Sequence, residues 1–135
     1  MWIVFRSGAL VLCMTLGGAV MAQDTPVEGV IQDQLDAFLR DDFATAFTFA
    51  SPMIQGMFGS ASNFEAMVKQ GYPMVWRHGS VRYGESTTRG STVLQTVILT
   101  DADGAVHALE YEMIPVGDDW QINGVRFVRA PEVGV

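Results

Sequence analysis

The chain has 135 residues, with 8 basic residues, 15 acidic residues and a formal net charge of −7 at pH 7. This length suits one domain with a modest core. The negative charge repels phosphate backbones, which makes nucleic acid a poor partner.

The first 22 residues have the organisation of a secretory signal peptide. One cation, Arg6, precedes an apolar run from Gly8 to Met21, and Val20-Met21-Ala22 fits the site that a signal peptidase inspects. The alternative is an uncleaved membrane anchor, but about 15 helical residues span only about 22 Å, short of the roughly 30 Å hydrocarbon core. We therefore predict cleavage after Ala22, a periplasmic or secreted protein, and no stable membrane insertion afterwards.

The predicted mature domain, residues 23–135, contains no cysteine, because Cys13 leaves with the signal peptide. It must fold without a disulfide or a thiolate metal site. Its His, Asp and Glu residues show no zinc-ligand spacing, and it has no Gly-rich phosphate loop. We therefore expect neither a metal nor a cofactor.

The first half of this domain carries the periodicity of short helices. Apolar residues at helical spacing predict a helix from Val27 to Leu39. Asp41-Asp42 can cap a second helix, which Ser51-Pro52 ends. The same Ser-Pro pair is suited to start a third helix, ending near Gly59.

A fourth helix is predicted from an S-x-x-E capping box formed by Ser62 and Glu65, and Gly71 is suited to end it. Because Pro73 disfavours the helical conformation in its predecessor, we expect an extended crossover through Met74–Trp76.

After this crossover the pattern changes to four β-strands separated by short turns. The predicted strands are residues 80–86, 92–100, 105–115 and 120–129. Short turns imply an antiparallel meander. The sequence therefore predicts an α+β fold, with N-terminal short helices packed on one face of a curved four-stranded antiparallel sheet.

The last strand contains Trp120-Gln-Ile-Asn-Gly-Val125, which resembles the W-x-I-x-G-V signature of the nuclear transport factor 2-like (cystatin-like) superfamily. The chain also resembles a bacterial family, domain-of-unknown-function family 4864, through segments spread over the mature domain. These segments are Phe49–Pro52, Met57–Gly59, Phe64–Met67, Gly71–Pro73 and the Trp120 strand. The resemblance implies a cone-shaped fold. It implies no activity, since this superfamily contains isomerases, dehydratases, cyclases and binding or dimerisation modules.

The candidate catalytic residues are His107 and Tyr111, which share the more apolar face of the third predicted strand. An acid/base pair would be useful inside a cone. However, four strand residues separate the two side chains by about 13 Å, so they need a bridging ligand or residue. The alternative is a histidine near a strand end that reaches solvent or a backbone carbonyl.

Two acidic groups have simpler interpretations. Glu110 and Glu112 fall on the opposite face of that strand, where a sheet covered on one side meets water, so we expect surface charges rather than paired carboxylates. Asp101-Ala-Asp103-Gly104 matches some ligand positions of a calcium loop, but its strand flanks favour a hairpin turn.

Four methionines cluster in the helical region and the crossover: Met53, Met57, Met67 and Met74. Flexible thioethers fill irregular gaps, so we expect them in the core. The alternative is an adaptable apolar pocket.

Tyr72, Trp76 and Arg77 lie beside these methionines at the expected mouth of the cone. Aromatic rings with polar tips and an arginine can bind a ligand there, or can close the end of the core. Together with Met67 and Met74 they are the predicted ligand-binding residues. We favour a non-catalytic exported module that binds a small apolar ligand or a protein partner. The alternatives are an isomerase- or dehydratase-type enzyme and a homodimer formed through the exposed sheet face.

Overall fold

The computed structural model describes residues 25–129, which form five helices followed by four strands. The helices are α1 (Pro26–Leu39), α2 (Phe43–Thr48), α3 (Pro52–Phe58), α4 (Ala61–Gly71) and α5 (Pro73–Trp76). The strands are β1 (His78–Arg89), β2 (Thr92–Asp101), β3 (Val106–Val116) and β4 (Asp119–Val128). The predicted signal peptide lies outside the described residues. Within 25–129, no helix combines the length and apolar character needed to cross a membrane.

The strands pair in the order β1-β2-β3-β4, each antiparallel to its neighbour. This confirms the α+β prediction of helices followed by an antiparallel meander. Register shifts interrupt β1 at two places and the β3–β4 pair at Glu112/Met113, and such bulges bend a sheet. β1 runs to Arg89, beyond its predicted end, because Arg89 pairs with Thr92 across a two-residue turn in which Gly90 has φ +61°.

The first four helices begin at polar caps, whereas α5 has no side-chain cap. Thr25, Asp42 and Ser51 accept hydrogen bonds from the third residue after each of them, at 3.0, 3.1 and 3.3 Å. The predicted capping box of α4 is wrong: the cap is Ser60, whose Oγ accepts from the Asn63 N–H at 3.1 Å.

The extended crossover is also wrong, because Pro73–Trp76 forms the single turn α5. Proline suits the first turn of a helix, and Tyr72, with φ −136° and ψ 51°, absorbs the change of direction before it. The prediction that Gly71 ends α4 is confirmed.

The core lies between α1 and the inner face of the sheet. α1 contributes Ile31, Leu35 and Phe38, all at most 1% exposed, and alternate residues of β2 and β3 face them. In β3, Leu109, Tyr111 and Met113 are buried on the inner face, as the predicted alternation requires, and Ala108 of the other face is buried as well. The fully buried residues of β2 and β3 are Gln95, Val97, Leu99, Leu109, Tyr111 and Met113.

Candidate functional site

A cavity of about 230 Å³ opens between the helices and the sheet. Its walls come from α1, the α2–α3 connection, α3, α4, α5 and the inner faces of β3 and β4. The lining residues are Gln34, Phe38, Ala50, Ile54, Met57, Phe58, Phe64, Met67, Val68, Tyr72, Val75, Tyr111, Ile122, Gly124 and Val125. None of these residues is charged, so the cavity presents an almost wholly apolar surface.

The wall formed by α3 is the least tightly packed part of the cavity. α3 has no buried residue, and Met53 and Met57 are 56% and 64% exposed. The expectation that these two methionines fill the core is therefore wrong. Met57 lines the cavity, Met67 lines it and also packs against the core, and Met74 packs against the core.

The base of α3 is fixed to the sheet by a hydrogen-bond relay that the sequence did not reveal. Ser51 is fully buried and donates to Asn123 Oδ1 at 2.7 Å, and Asn123 donates to Glu112 at 2.6 Å. The backbone adds a parallel bridge between Ala50 and Ile122. The Ser51–Asn123 and Ala50–Ile122 contacts each join residues 72 positions apart, which no local pattern predicts.

Three lining residues carry polar groups. Gln34 donates through Nε2 to the Ala46 carbonyl at 3.1 Å, and Tyr72 donates to the Val125 carbonyl at 3.1 Å. The Tyr111 hydroxyl is buried and has no hydrogen-bond partner within residues 25–129. Burial is the main cause that raises the pKa of Tyr111 well above its ordinary value of 10.0, and the nearby Tyr83 and Tyr72 raise this pKa further. Tyr111 therefore lines the cavity with a protonated hydroxyl that is buried and has an unused donor.

The five predicted ligand-binding residues separate into two groups. Met67 and Tyr72 line the cavity, and the Tyr72 ring also stacks on Phe127, with centroids 5.1 Å apart and an angle of 8° between the ring planes. Met74, Trp76 and Arg77 are not among the lining residues.

Trp76 and Arg77 close the end of the core by binding the loop that follows α1. Both donate to the Asp41 carboxylate, the Trp76 indole at 2.9 Å and Arg77 at 2.6 and 2.8 Å. These hydrogen bonds lower the pKa of Asp41, and the bond from Trp76 has the largest effect. Arg77 also donates to the Phe38 carbonyl at the end of α1, at 3.0 Å.

The two candidate catalytic residues are not brought together. Tyr111 lines the cavity, but His107 lies near the β2–β3 turn with its Nε2 2.8 Å from Asp101 Oδ2. The hydrogen bond from His107 and those from the turn backbone lower the pKa of Asp101. Asp101 Oδ1 accepts the backbone N–H groups of Asp103 and Ala105, as in the predicted hairpin turn. A catalytic role for His107 and Tyr111 stays a prediction.

Glu110 and Glu112, the two glutamates on the outer face of β3, have partners on β4. Glu110 pairs with Arg126 at 2.6 Å, and Glu112 accepts from Asn123, so each binds a β4 side chain. No cluster of His, Cys, Asp and Glu within 25–129 is arranged to hold a metal ion.

Two solved structures share this arrangement of helices and sheet. One is the solution structure of RPA3114, a SEC-C motif containing protein from Rhodopseudomonas palustris, with a TM-score of 0.57, 15% identity, and coverage of 76% of this chain and 78% of that one. The other is the crystal structure of a protein named as an NTF2-like transpeptidase from Campylobacter jejuni, with a TM-score of 0.57, 8% identity, and coverage of 74% and 99%. The class defined by this fold is therefore NTF2-like.

Within that class the family is also defined. The model of the family described as "Domain of unknown function (DUF4864)" matches residues 20–135, and the chain belongs to this family. A search of curated proteins gave no match.

Proposed function

We propose that the protein is an exported, non-catalytic module that binds a small apolar molecule in the cavity between its helices and its sheet. The observation that carries the proposal is the uncharged, mostly aliphatic and aromatic lining of a cavity of about 230 Å³. Small-molecule sites are typically concave and apolar, with few polar groups. An apolar cavity of about 150 Å³ is enough to bind benzene, so this volume suits one ring with substituents.

The composition of the lining favours binding over catalysis. Of the side chains that act most often as general acids or bases, only tyrosine is present among the lining residues. Export is supported by the sequence of residues 1–22, with its single cation, apolar run and Val-Met-Ala cleavage site.

The loosely packed α3 provides a route of entry. Met57 is mostly exposed and also lines the cavity, so its flexible side chain stands at the mouth. Movement of one thioether opens the site without disturbing the core below it.

Native mass spectrometry of protein purified from the periplasm tests the proposal, with thermal stabilisation by toluene as a defined probe. We expect a bound small molecule or a toluene-dependent rise in Tm, and the loss of both in Met67→Trp, where the indole fills the cavity. Met53→Trp is the matched control, because Met53 is exposed and does not line the cavity. Absence of copurified ligand together with absence of any toluene response in the unmodified protein would contradict the proposal.

A further inference from the structure

The cavity has one polar group without a protein partner. Tyr111 is 1% exposed, and its hydroxyl has no hydrogen-bond partner within the described part of the chain. A buried hydroxyl without a partner is unfavourable, so such groups are rare in folded proteins. The neighbouring tyrosines have partners: Tyr72 donates to Val125 and Tyr83 donates to Gln32 Oε1 at 2.8 Å.

A second polar group of the lining has spare capacity. Gln34 is buried, and its Nε2 is fixed by the Ala46 carbonyl. Its Oε1 receives no hydrogen bond from any residue between 25 and 129, and a carbonyl oxygen there is an acceptor. Two residues of the cavity lining therefore have unused hydrogen-bonding capacity: Tyr111 through a hydroxyl that is buried just behind the cavity surface, and Gln34 through its carbonyl oxygen.

The absence of charge from the lining restricts the ligand further. Burying a carboxylate or an ammonium group costs several kcal/mol unless a paired charge compensates it. Since none of the lining residues is charged, a neutral ligand is favoured over a charged one of the same shape. Among neutral polar groups, a hydroxyl can accept from Tyr111 and can donate to a carbonyl oxygen such as that of Gln34.

We propose that Tyr111 is the polar anchor of this cavity and that the ligand is a neutral molecule with one hydroxyl on a single ring or a short apolar chain. This inference rests on the proposed function. Because the hydroxyl is buried, the ligand reaches it by displacing a neighbouring side chain of the lining. Its apolar body packs on the phenylalanines of α1 and α4.

Three probes that share a methylphenyl ring and differ in the para group separate the contributions: toluene, p-cresol and 4-methylbenzoate. In the unmodified protein we expect p-cresol to bind more tightly than toluene, and 4-methylbenzoate to bind more weakly than either. Tyr111→Phe keeps the ring and removes the hydroxyl. One hydrogen bond of about 0.5–1.5 kcal/mol corresponds to a loss of about twofold to tenfold in p-cresol affinity, with toluene affinity unchanged or improved.

The matched control is Tyr83→Phe, which removes a hydroxyl from a tyrosine outside the cavity lining. It should leave the ratio of p-cresol to toluene affinity unchanged. If Tyr111→Phe does not fold, the unmodified protein labelled with ¹³Cζ-tyrosine gives the same answer. Binding of p-cresol should then shift the Tyr111 signal more than binding of toluene does.

The outcomes distinguish the two proposals. If both neutral probes bind but Tyr111→Phe leaves their affinity ratio unchanged, or if both probes shift the Tyr111 signal equally, the anchor is overturned and the cavity site stands. If 4-methylbenzoate binds more tightly than p-cresol, the proposal that the ligand is a neutral molecule is overturned. If no probe binds the unmodified protein, the proposed function itself fails.

Discussion

Arg77 donates through Nη2 to both carboxylate oxygens of Asp41, at 2.6 Å to Oδ1 and 2.8 Å to Oδ2. Among the non-glycine residues of 25–129, Asp41 alone has a positive φ, at +57°. Aspartate tolerates this conformation better than most residues do. Its carboxylate also accepts from the Trp76 indole. The contact therefore fixes the end of α1 to the segment that enters the sheet, at a position outside the cavity lining.

Conservative changes in this contact should lower stability and leave ligand binding intact. Arg77→Lys retains the charge but loses the planar pair of donors, and Trp76→Phe retains a ring but loses the indole N–H. We expect a lower urea midpoint for each variant, with an unchanged affinity for toluene. Arg82→Lys, at an exposed position of β1, is the control and should match the unmodified protein. A weaker affinity for toluene in a folded Arg77→Lys protein would place Arg77 in the binding site instead.

Acid should weaken the fold through Asp41 and Asp101. Both carboxyl groups have pKa values below their usual 3.8, because Trp76 and Arg77 donate to the first and His107 and the turn backbone donate to the second. A carboxyl group whose pKa is lower in the folded state than in the unfolded state stabilises the fold at pH values above its unfolded-state pKa. This stabilisation is lost as the pH falls through the folded-state pKa. We therefore expect the urea midpoint to fall as pH is lowered from about 5 to about 3.

The variant Asp41→Asn should reduce this pH dependence, since asparagine tolerates the same backbone conformation but does not ionise. Asp118→Asn, in the exposed β3–β4 turn, is its control. Equal pH dependence in the Asp41→Asn and unmodified proteins would show that the Asp41 contact contributes nothing to acid sensitivity.

The cap of α4 provides a test of the corrected helix start. Ser60→Ala removes the acceptor for the Asn63 N–H and should cost about 1 kcal/mol in the free energy of unfolding. Ser62→Ala, at the exposed position that the capping-box pattern favours, should change it by less than about 0.5 kcal/mol. Urea unfolding measures both variants, and a larger loss at Ser62 would restore the capping-box interpretation.

The sequence predicted the elements whose signals are local. Ser51-Pro52 begins α3 as expected, because proline fixes the first turn and serine supplies the cap. The alternating apolar residues of β3 likewise identified its buried face, since the period of a strand is two residues.

The start of α4 was missed because Ser60 and Ser62 are equally good caps in isolation. Asn63 makes two hydrogen bonds that favour Ser60 as the cap. Its backbone N–H donates to Ser60 Oγ, and its side-chain amide donates to the Phe58 carbonyl at 2.8 Å. Glu65, expected to complete the capping box, instead pairs with Lys69 one turn later, at 2.7 Å.

The candidate site was only partly predictable. Tyr72 and Met67 line the cavity as their position in the aromatic and methionine cluster suggested, but Trp76 and Arg77, only a few residues further on, bind Asp41 instead. The directions of the Trp76 and Arg77 side chains depend on the single helical turn α5. The sequence of Pro73–Trp76 does not show that this turn forms. The unpartnered Tyr111 hydroxyl is a property of the tertiary packing around it, so no sequence pattern shows it.

Methionine methyl groups give the most direct test of the central claim, that a small apolar molecule binds in the cavity. In protein labelled with ¹³C-methyl methionine and titrated with toluene, we predict saturable shifts of the Met57 and Met67 signals, with Met53 unaffected. Met53 and Met57 are one turn apart on the same exposed helix, so a non-specific surface effect would move both. An unchanged Met57 and Met67, or equal non-saturating shifts of Met53 and Met57, would contradict the proposal.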